Sequence, residues 1–550
     1  MIARLACLLL LAAACSKTAK VAETAPGEPS TLYVNARIHT LDQGKTGQAM
    51  RVAGASIVEV FEAAPRARTG ETVVDLAGAT VIPGLIDAHG HLDMLGRQMM
   101  QLDLRNARSA DEVAAFVRER AATVPEGGWI MGFGWDQNLW EGKQFPDRAV
   151  LDQAAPGHKV WLHRISHAIW VNSAVLAAAG IDKKTKSPQG GDILRRKNGE
   201  PTGVLVDNAD TLVKALLPVP TIADRRAAFE RAFEHVAKLG LTGVHSMMMT
   251  VADVEALHAL EAEGRVPIRV TAYVTDDWAS VETFLKTPPD RDGMVWVTGV
   301  KLFGDGALGS RSAALLAPYS DDAKSRGLTV HTTDDLRQKA AAITAAGYQI
   351  AIHAIGDAAN RQALDVLSPL VATAKLPPRI EHVQIVEKSD LARFATNGIV
   401  ASIQPIHAPS DMGWAVERVG WERLKGGSYA ARSLIDSGAT VVLGSDFPIE
   451  SASPWWGIHA AVSRQNAHGE PPQGFLPEQK LTLEQALERY CVTPHRVIGD
   501  GQPGLLRPGA PADFVVVAGD PFSATPSELH DVAVLRTVVA GREIFSSPPP

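Results

Sequence analysis

Two histidines one residue apart close the run Val81-Ile-Pro-Gly-Leu-Ile-Asp-Ala-His-Gly-His-Leu92. Alternate residues of a strand face the same way, so His89 and His91 present two imidazoles to one point. Neutral imidazole is the commonest protein ligand of zinc-like metals, and such a pair reads as a chelate. Further polar residues end otherwise apolar runs: His353 after YQIAI, His382 after RIE and Asp446 after VVLGS, with Lys301 inside VTGVKLF. One buried histidine is as readily a hydrogen-bonded core residue as a ligand. Several such residues beside a His-x-His pair point instead to a shared metal site. Lys301 fits that site less simply, because an ammonium cannot ligate a cation, and an ion pair with Asp305 is its plain alternative.

The elements that must position these residues alternate between strand and helix. Strand-like runs cover Thr242 to Thr250, Ile268 to Thr275, Val297 to Gly306, Tyr348 to Asp357, Arg379 to Val386, Ile399 to Ala408 and Ala439 to Ile449. With the His-x-His strand they make eight, and segments such as VADVEALHALEAEG and LTLEQALERY between or after them carry apolar residues at helical spacing. Eight β/α units predict a TIM-type (β/α)8 barrel, whose active site gathers at the C-terminal ends of the strands. Short strand-like runs at 31–83 and 505–550 are each too small to bury a core alone, and together predict one small β-sandwich flanking a barrel domain over 84–504. About 150 residues separate His91 from Thr242, several times what one βα connection needs. The excess, about 105–219, reads as an insertion after the first barrel strand that overhangs the barrel mouth.

The chain has 550 residues, with 54 Lys plus Arg against 61 Asp plus Glu and no basic block. That balance argues against a nucleic-acid partner. Residues 1–15 carry one positive charge, at Arg4, then an apolar run too short to span a bilayer, which reads as an export signal. Its end, LAAACS, resembles the lipobox of bacterial lipoproteins, with Cys15 as the lipidated residue and membrane tether; Ala12 to Ala14 equally form an ordinary signal-peptidase site. Residues 16–30 read as a flexible tether. These features predict a periplasmic or membrane-anchored protein. Of three cysteines only Cys491 lies in the body, so no internal disulfide is expected there. No heptad pattern marks an oligomer seam.

The order His-x-His, Lys, His, His, Asp on strands 1, 4, 5, 6 and 8 resembles the binuclear metal sites of the amidohydrolase superfamily. The strings KLFGDGALGSRSAAL, HAIGDAAN, IEHVQI, SIQPIHAPSD, GSDFPIE and PGAPADFVVV resemble the amidohydrolase 3 branch, which includes YtcJ-like proteins and N-substituted formamide deformylases. The resemblance implies that His89, His91 and Asp446 bind the more buried metal and His353 and His382 the other. It implies that Lys301 bridges both as a CO2-derived carbamate, and that Asp446 is also the general base and acid. Two divalent ions, zinc by the donor set, would activate water against a carbonyl.

Other residues carry open readings. Asp87 shares the parity of His89 and His91 and reads as support for them rather than as a catalytic group. His245 and His407, expected to end strands 2 and 7, are candidates for substrate contact or for packing. Trp135, Asp136 and Trp140 in GWDQNLW, and His167 in HAIWVNSAVL, are pocket candidates in the insertion, the tryptophans serving equally to seal it onto the barrel; Ser166 stands where the branch commonly has Gly. Arg311 suits a substrate carboxylate or a loop salt bridge. The expected activity is hydrolysis of a C–N bond in an N-formyl, N-acyl or peptide-like small molecule. A lactone or other ester is the alternative substrate on the same site, and a non-catalytic ligand-binding lipoprotein is the reading from another class.

Overall fold

The His-x-His run forms the first strand of an eight-stranded parallel barrel in the computed structural model, which describes residues 29–164 and 167–547. The export signal with Cys15, all but the last two residues of the tether, and Ser166 lie outside the described residues. Among those described, no helix is long and apolar enough to cross a membrane. The barrel strands are β1 (Leu85–Gly90), β2 (Leu241–Met249), β3 (Arg269–Val274), β4 (Val295–Phe303), β5 (Gln349–Ala354), β6 (Arg379–His382), β7 (Val400–Ile403) and β8 (Val441–Leu443). They pair in sequence order from β1 to β8. Helices cover the outer face, so strands buried on both sides read as nearly continuous apolar text. Most of the strands stop earlier than expected, β6 at His382, β7 at Ile403 and β8 at Leu443 by the widest margins. In β7 the ladder ends before Pro405, which has no N–H to give it, and a short helix, His407–Asp411, begins at once.

The seam between β8 and β1 is closed just beyond the strand ends. Asp446 N–H donates to the His89 carbonyl (2.7 Å) and His91 N–H to that of Phe447 (2.9 Å). The buried carboxylate of Asp87 accepts from the N–H (3.1 Å) and hydroxyl (2.6 Å) of Ser445, and from His89 N–H (2.9 Å). This approach requires Gly444: a Cβ there would stand 2.5 Å from His89 N and 2.7 Å from Asp87 Oδ1.

Both chain ends build the flanking sandwich. One sheet runs Arg542–Ser546, Val534–Val539, Phe514–Val517, Thr80–Pro83, Arg37–His39, Thr46–Gly47; the other runs Ser56–Phe61, Ala49–Ala53, Ser30–Val34, Thr72–Asp75. Tyr33, Met50, Ile57, Val81, Phe514 and Val538 share the core between them. Strand Thr80–Pro83 leads through Gly84 directly into β1, so the sandwich anchors the strand that carries both histidines.

Between β1 and β2 the chain folds around a separate six-stranded sheet, ordered Gly191–Arg195, Pro201–Asp207, Ala168–Val171, Lys159–Arg164, Trp129–Trp135, Leu102–Asp103. One face of this sheet packs Trp135, Trp140, Trp170 and Leu151 into a core of its own; the other holds Trp161, Ile169 and Val171. Helix Ile222–Lys238 then returns to the barrel, with Phe229 and Phe233 in the main core.

Gly444→Ala tests the seam. The added methyl has no free space, so stability is expected to fall by about 1–3 kcal/mol in denaturant melts.

Candidate active site and metal centre

The C-terminal ends of five strands bring His89, His91, Lys301, His353, His382 and Asp446 to one cavity of about 410 Å³. Its apolar wall includes Met94, Met248, Phe303, Leu308, Ile355 and Trp414. His89 and His91 leave β1 two residues apart, as strand parity requires, and both are buried. His89 Nδ1 lies 2.6 Å from Glu381 Oε2, and His91 Nδ1 lies 3.1 Å from the Met247 carbonyl oxygen. Acceptors at both Nδ1 atoms place the ring hydrogens there, so each Nε2 turns a lone pair inward. Those lone pairs face Asp446 Oδ1, at 3.4 Å from His89 and 2.8 Å from His91. His89 Nε2 is buried and has no hydrogen-bond partner among the described residues. Three acceptors converging on one point suit a cation, and His89, His91 and Asp446 form a candidate group whose ligand atoms lie within 4.8 Å of one another.

Asp446 sits just past β8 in left-handed backbone (φ 64°), which aims its carboxylate back over the barrel axis. Burial works to raise its pKa, but the His89 and His91 imidazoles crowded against its carboxylate, with His382 beyond them, outweigh it and hold the carboxyl well below the usual carboxylate range. On the other side of Asp446, His407 Nε2 is 3.6 Å and His382 Nδ1 4.0 Å from Oδ2, making a second candidate ligand group of His382, His407 and Asp446. His382 Nδ1 is 2.8 Å from Gln404 Oε1, which makes it the N–H and leaves Nε2 as the free nitrogen. Its ring packs between those of His89 and His353, with centroids 4.7 and 4.5 Å away. His353 directs Nε2 to the Gly306 carbonyl oxygen (3.3 Å), and its Nδ1 takes no hydrogen bond among the described residues.

Lys301 is buried on β4, and among the described residues no hydrogen bond or ion pair engages its ammonium. Its Nζ lies 4.6 Å from the centre of the Phe303 ring. Burial pulls its pKa down to about 8 against the opposing charges of Glu381 and Asp446. The alternative partner, Asp305, is committed elsewhere: its carboxylate accepts the N–H groups of Ala314 (2.8 Å), Ile355 (2.9 Å) and Gly356 (2.8 Å), which organises the loops after β4 and β5.

A sequence model described as the amidohydrolase family (Amidohydro_3) matches residues 72–545. The chain belongs to the amidohydrolase family. The Bacillus subtilis protein YtcJ, named as an amidohydrolase, is 33% identical over 485 residues, covering 86% of this chain and 90% of its own. The N-substituted formamide deformylase of Arthrobacter pascens is 28% identical over 544 residues, covering 93% and 97%. A crystal structure of an uncharacterised metal-dependent hydrolase from Pyrococcus horikoshii OT3 superposes with a TM-score of 0.77 at 30% identity, covering 90% of this chain and 99% of that one.

Of the expected substrate contacts in this amidohydrolase, only His407 lines the cavity. It does so from the helix after β7 rather than from the strand end. His245 lies within β2, not at its end, and is buried beneath the site, where it accepts from Arg379 Nη1 (3.2 Å). Trp135 and Trp140 fill the core of the inserted sheet and donate their indole N–H groups to the carbonyls of Leu162 and Ala107. Asp136 pairs with Arg164, His167 is exposed beside Asp207 (2.8 Å), and Arg311 pairs with Asp321 (2.9 Å) on the surface. Asp87 is the seam clamp described above, which is its supporting reading.

Several residues of consequence lay outside the expectations. Arg379, at the start of β6 and fully buried, forks onto Glu381 and donates to the Ala88 carbonyl (2.7 Å), Ser402 Oγ (2.9 Å) and Tyr273 OH (3.1 Å). Glu381 joins this layer to His89. The signal was visible in RIEHVQI, where three polar residues surround His382 in text that should be apolar. Gln384, Asp411 and Glu450 also line the cavity.

Glu381→Gln tests the connection. It should weaken metal binding by roughly 10–100-fold in chelator competition, because His89 loses the charge that orients and polarises it.

Proposed function

We propose that this amidohydrolase cleaves the C–N bond of an amide-type small molecule, of N-formyl, N-acyl or peptide-like class. The observation that carries the reading is the meeting of the inward Nε2 atoms of His89 and His91 with the Asp446 carboxylate on the floor of a cavity that Lys301, His353 and His382 also enter. A relative named N-substituted formamide deformylase, matched over 97% of its length, supports the choice of bond.

His89, His91 and Asp446 would hold one divalent cation, and His353 and His382 a second, with zinc favoured by the imidazole and carboxylate donors. Lys301 would join them as a carbamate, which turns a buried cation without a hydrogen-bonded partner into an anion among imidazoles. When bound, the metals would supply a water acidified towards neutral pH and polarise the substrate carbonyl.

The remaining work falls to the chain. Asp446 takes the proton from the attacking water and returns it to the departing nitrogen, so that no charged amide anion has to leave. His407 supplies a donor. The Gln384 amide lies 3.0 Å from His407 Nδ1 and 3.5 Å from Asp411 Oδ2, and only its NH2 side suits a carboxylate. His407 Nδ1 therefore accepts, and Nε2 carries the hydrogen. That N–H, buried and without a hydrogen-bond partner among the described residues, 3.6 Å from Asp446 Oδ2, is available to the carbonyl oxygen as it gains negative charge. This tautomer favours His353 and His382 over His407 as the residues that would hold a second metal.

The decisive experiment is a panel of N-formyl, N-acyl and dipeptide amides with matched esters, run on wild type and Asp446→Asn at defined metal content. Amide turnover is expected, reduced roughly 10²–10⁴-fold in the variant; an enzyme that cleaves the esters and no amide overturns the reading. Chelation should abolish turnover and added divalent metal restore it. His407→Phe should lower kcat by roughly 10²–10³-fold with metal content unchanged by elemental analysis; loss of bound metal would make His407 a ligand instead.

A further inference from the structure

The catalytic cavity does not end at the barrel. Met94 and Ile449 line it and also line a second cavity of about 710 Å³, walled by helix Leu92–Met99, the loop after β8 and the inserted sheet. A third recess beside helix Leu92–Met99 shares Ile449 with both. Ile449 thus stands where the spaces meet, three residues after Asp446, and is 64% exposed although it is a large apolar residue.

The second cavity offers a ligand mainly hydrocarbon. Met131 and Trp161 are cross-strand partners in the parallel pair Trp129–Trp135 and Lys159–Arg164, and Phe133 follows Met131 on the same face. The opposite face of those strands turns Ile130, Val160 and Leu162 into the insertion's own core. The other face builds a second core, in which Trp161 and Met131 pack with Ile169 and Val171, and the edges of Met131, Phe133 and Trp161 border the cavity. The nearby charges on this wall are already engaged. Arg97 pairs with Asp93 and Arg105 with Asp103, and the Arg105 guanidinium lies 5.4 Å from the Phe133 ring centre. Beside Gln98, Gln101 and His163, the cavity is lined by apolar surface of Met131, Phe133, Pro448 and Ile449 and the edge of the buried Trp161.

We propose that this second cavity is a subsite for an extended apolar arm of the substrate, which leaves the catalytic cavity over Met94 and Ile449 and lies against Met131, Phe133 and Trp161. The inference rests on the reading of the first cavity as the reaction chamber and adds the substrate class: amides whose non-reacting side is a chain or ring system several carbons long. The volume suits such an arm, since small-molecule sites commonly occupy about 300–1,000 Å³. It also gives the insertion a role in selection, through Met131 and Phe133 on the strand that carries Trp135 into the insertion's core and through Trp161 beside them.

The test is calorimetric and needs no turnover. Straight-chain carboxylates from acetate to decanoate are titrated into the metal-loaded full chain, wild type and the variants Phe133→Asp and Ile449→Ser. Beyond the first few carbons, affinity should rise by up to about fourfold per methylene in wild type. Both variants should flatten that slope. They change opposite walls, so a folding defect in one leaves the other informative. Equal affinity along the series, no binding at any length, or a wild-type slope retained in both variants overturns the proposal. The amide and ester panel decides the bond cleaved, so the two readings fail separately.

Discussion

The site depends first on how closely β8 can approach β1. A parallel barrel must close on its first strand, and here it closes through the residues that hold the reactive groups. The bonds from Asp446 N–H to the His89 carbonyl and from His91 N–H to the Phe447 carbonyl fix the two histidines and the aspartate relative to one another before any metal is considered. Asp87 reinforces the join by accepting from both sides of it. The positive φ of Asp446 costs on the order of 1–3 kcal/mol, and the surrounding bonds overdetermine it. Barrel closure and ligand geometry are one constraint, which is why Gly444 has no room for a side chain.

Beneath the ligands lies a polar layer where barrels usually carry branched apolar side chains. Arg379 and Glu381 would be costly to bury singly, and as a pair their attraction does little more than offset desolvation. Their value is directional. Arg379 meets β1, β3 and β7 through Ala88, Tyr273 and Ser402, so the position of Glu381 is set by much of the barrel rather than by one rotamer. Arg379 and the His89 imidazole together outweigh the burial that would neutralise Glu381. Glu381 then supplies a fixed negative charge at His89 Nδ1, the interaction that determines which nitrogen faces the cavity.

The barrel and the convergence of His89, His91, Lys301, His353, His382 and Asp446 on one cavity were legible because two periodicities speak for them. Parallel strands buried on both faces leave apolar runs, and a polar residue at the end of such a run stands out. Arg379 and Glu381 were not legible by that rule, since they lie within a strand and below its mouth, where polarity reads as an exception rather than as a layer. His407 was placed on a strand because IVASIQPIHA is apolar throughout; Pro405 was the overlooked stop. Trp135 misled for a different reason. A tryptophan in an insertion suits a pocket or a core equally, and only the register shift between Phe133 and Trp135, in the pairing with Lys159–Arg164, turns it to the inner face.

The same pairing separates what the barrel decides from what the insertion decides. The positions of the proposed ligands come from strand ends tied to each other by backbone bonds, and a shift in one strand would move several of them together. The second cavity is built differently: one wall is a loop after β8, the other a sheet with its own core, and Ile449 stands between. Side chains such as Met131 and Phe133 can change size without disturbing Trp135 and Trp170, because the bulge between Phe133 and Trp135 puts them on the opposite face of the sheet. A chain built this way can alter what it accepts while its reacting groups remain held by the seam, and the catalytic geometry need not change when the substrate does.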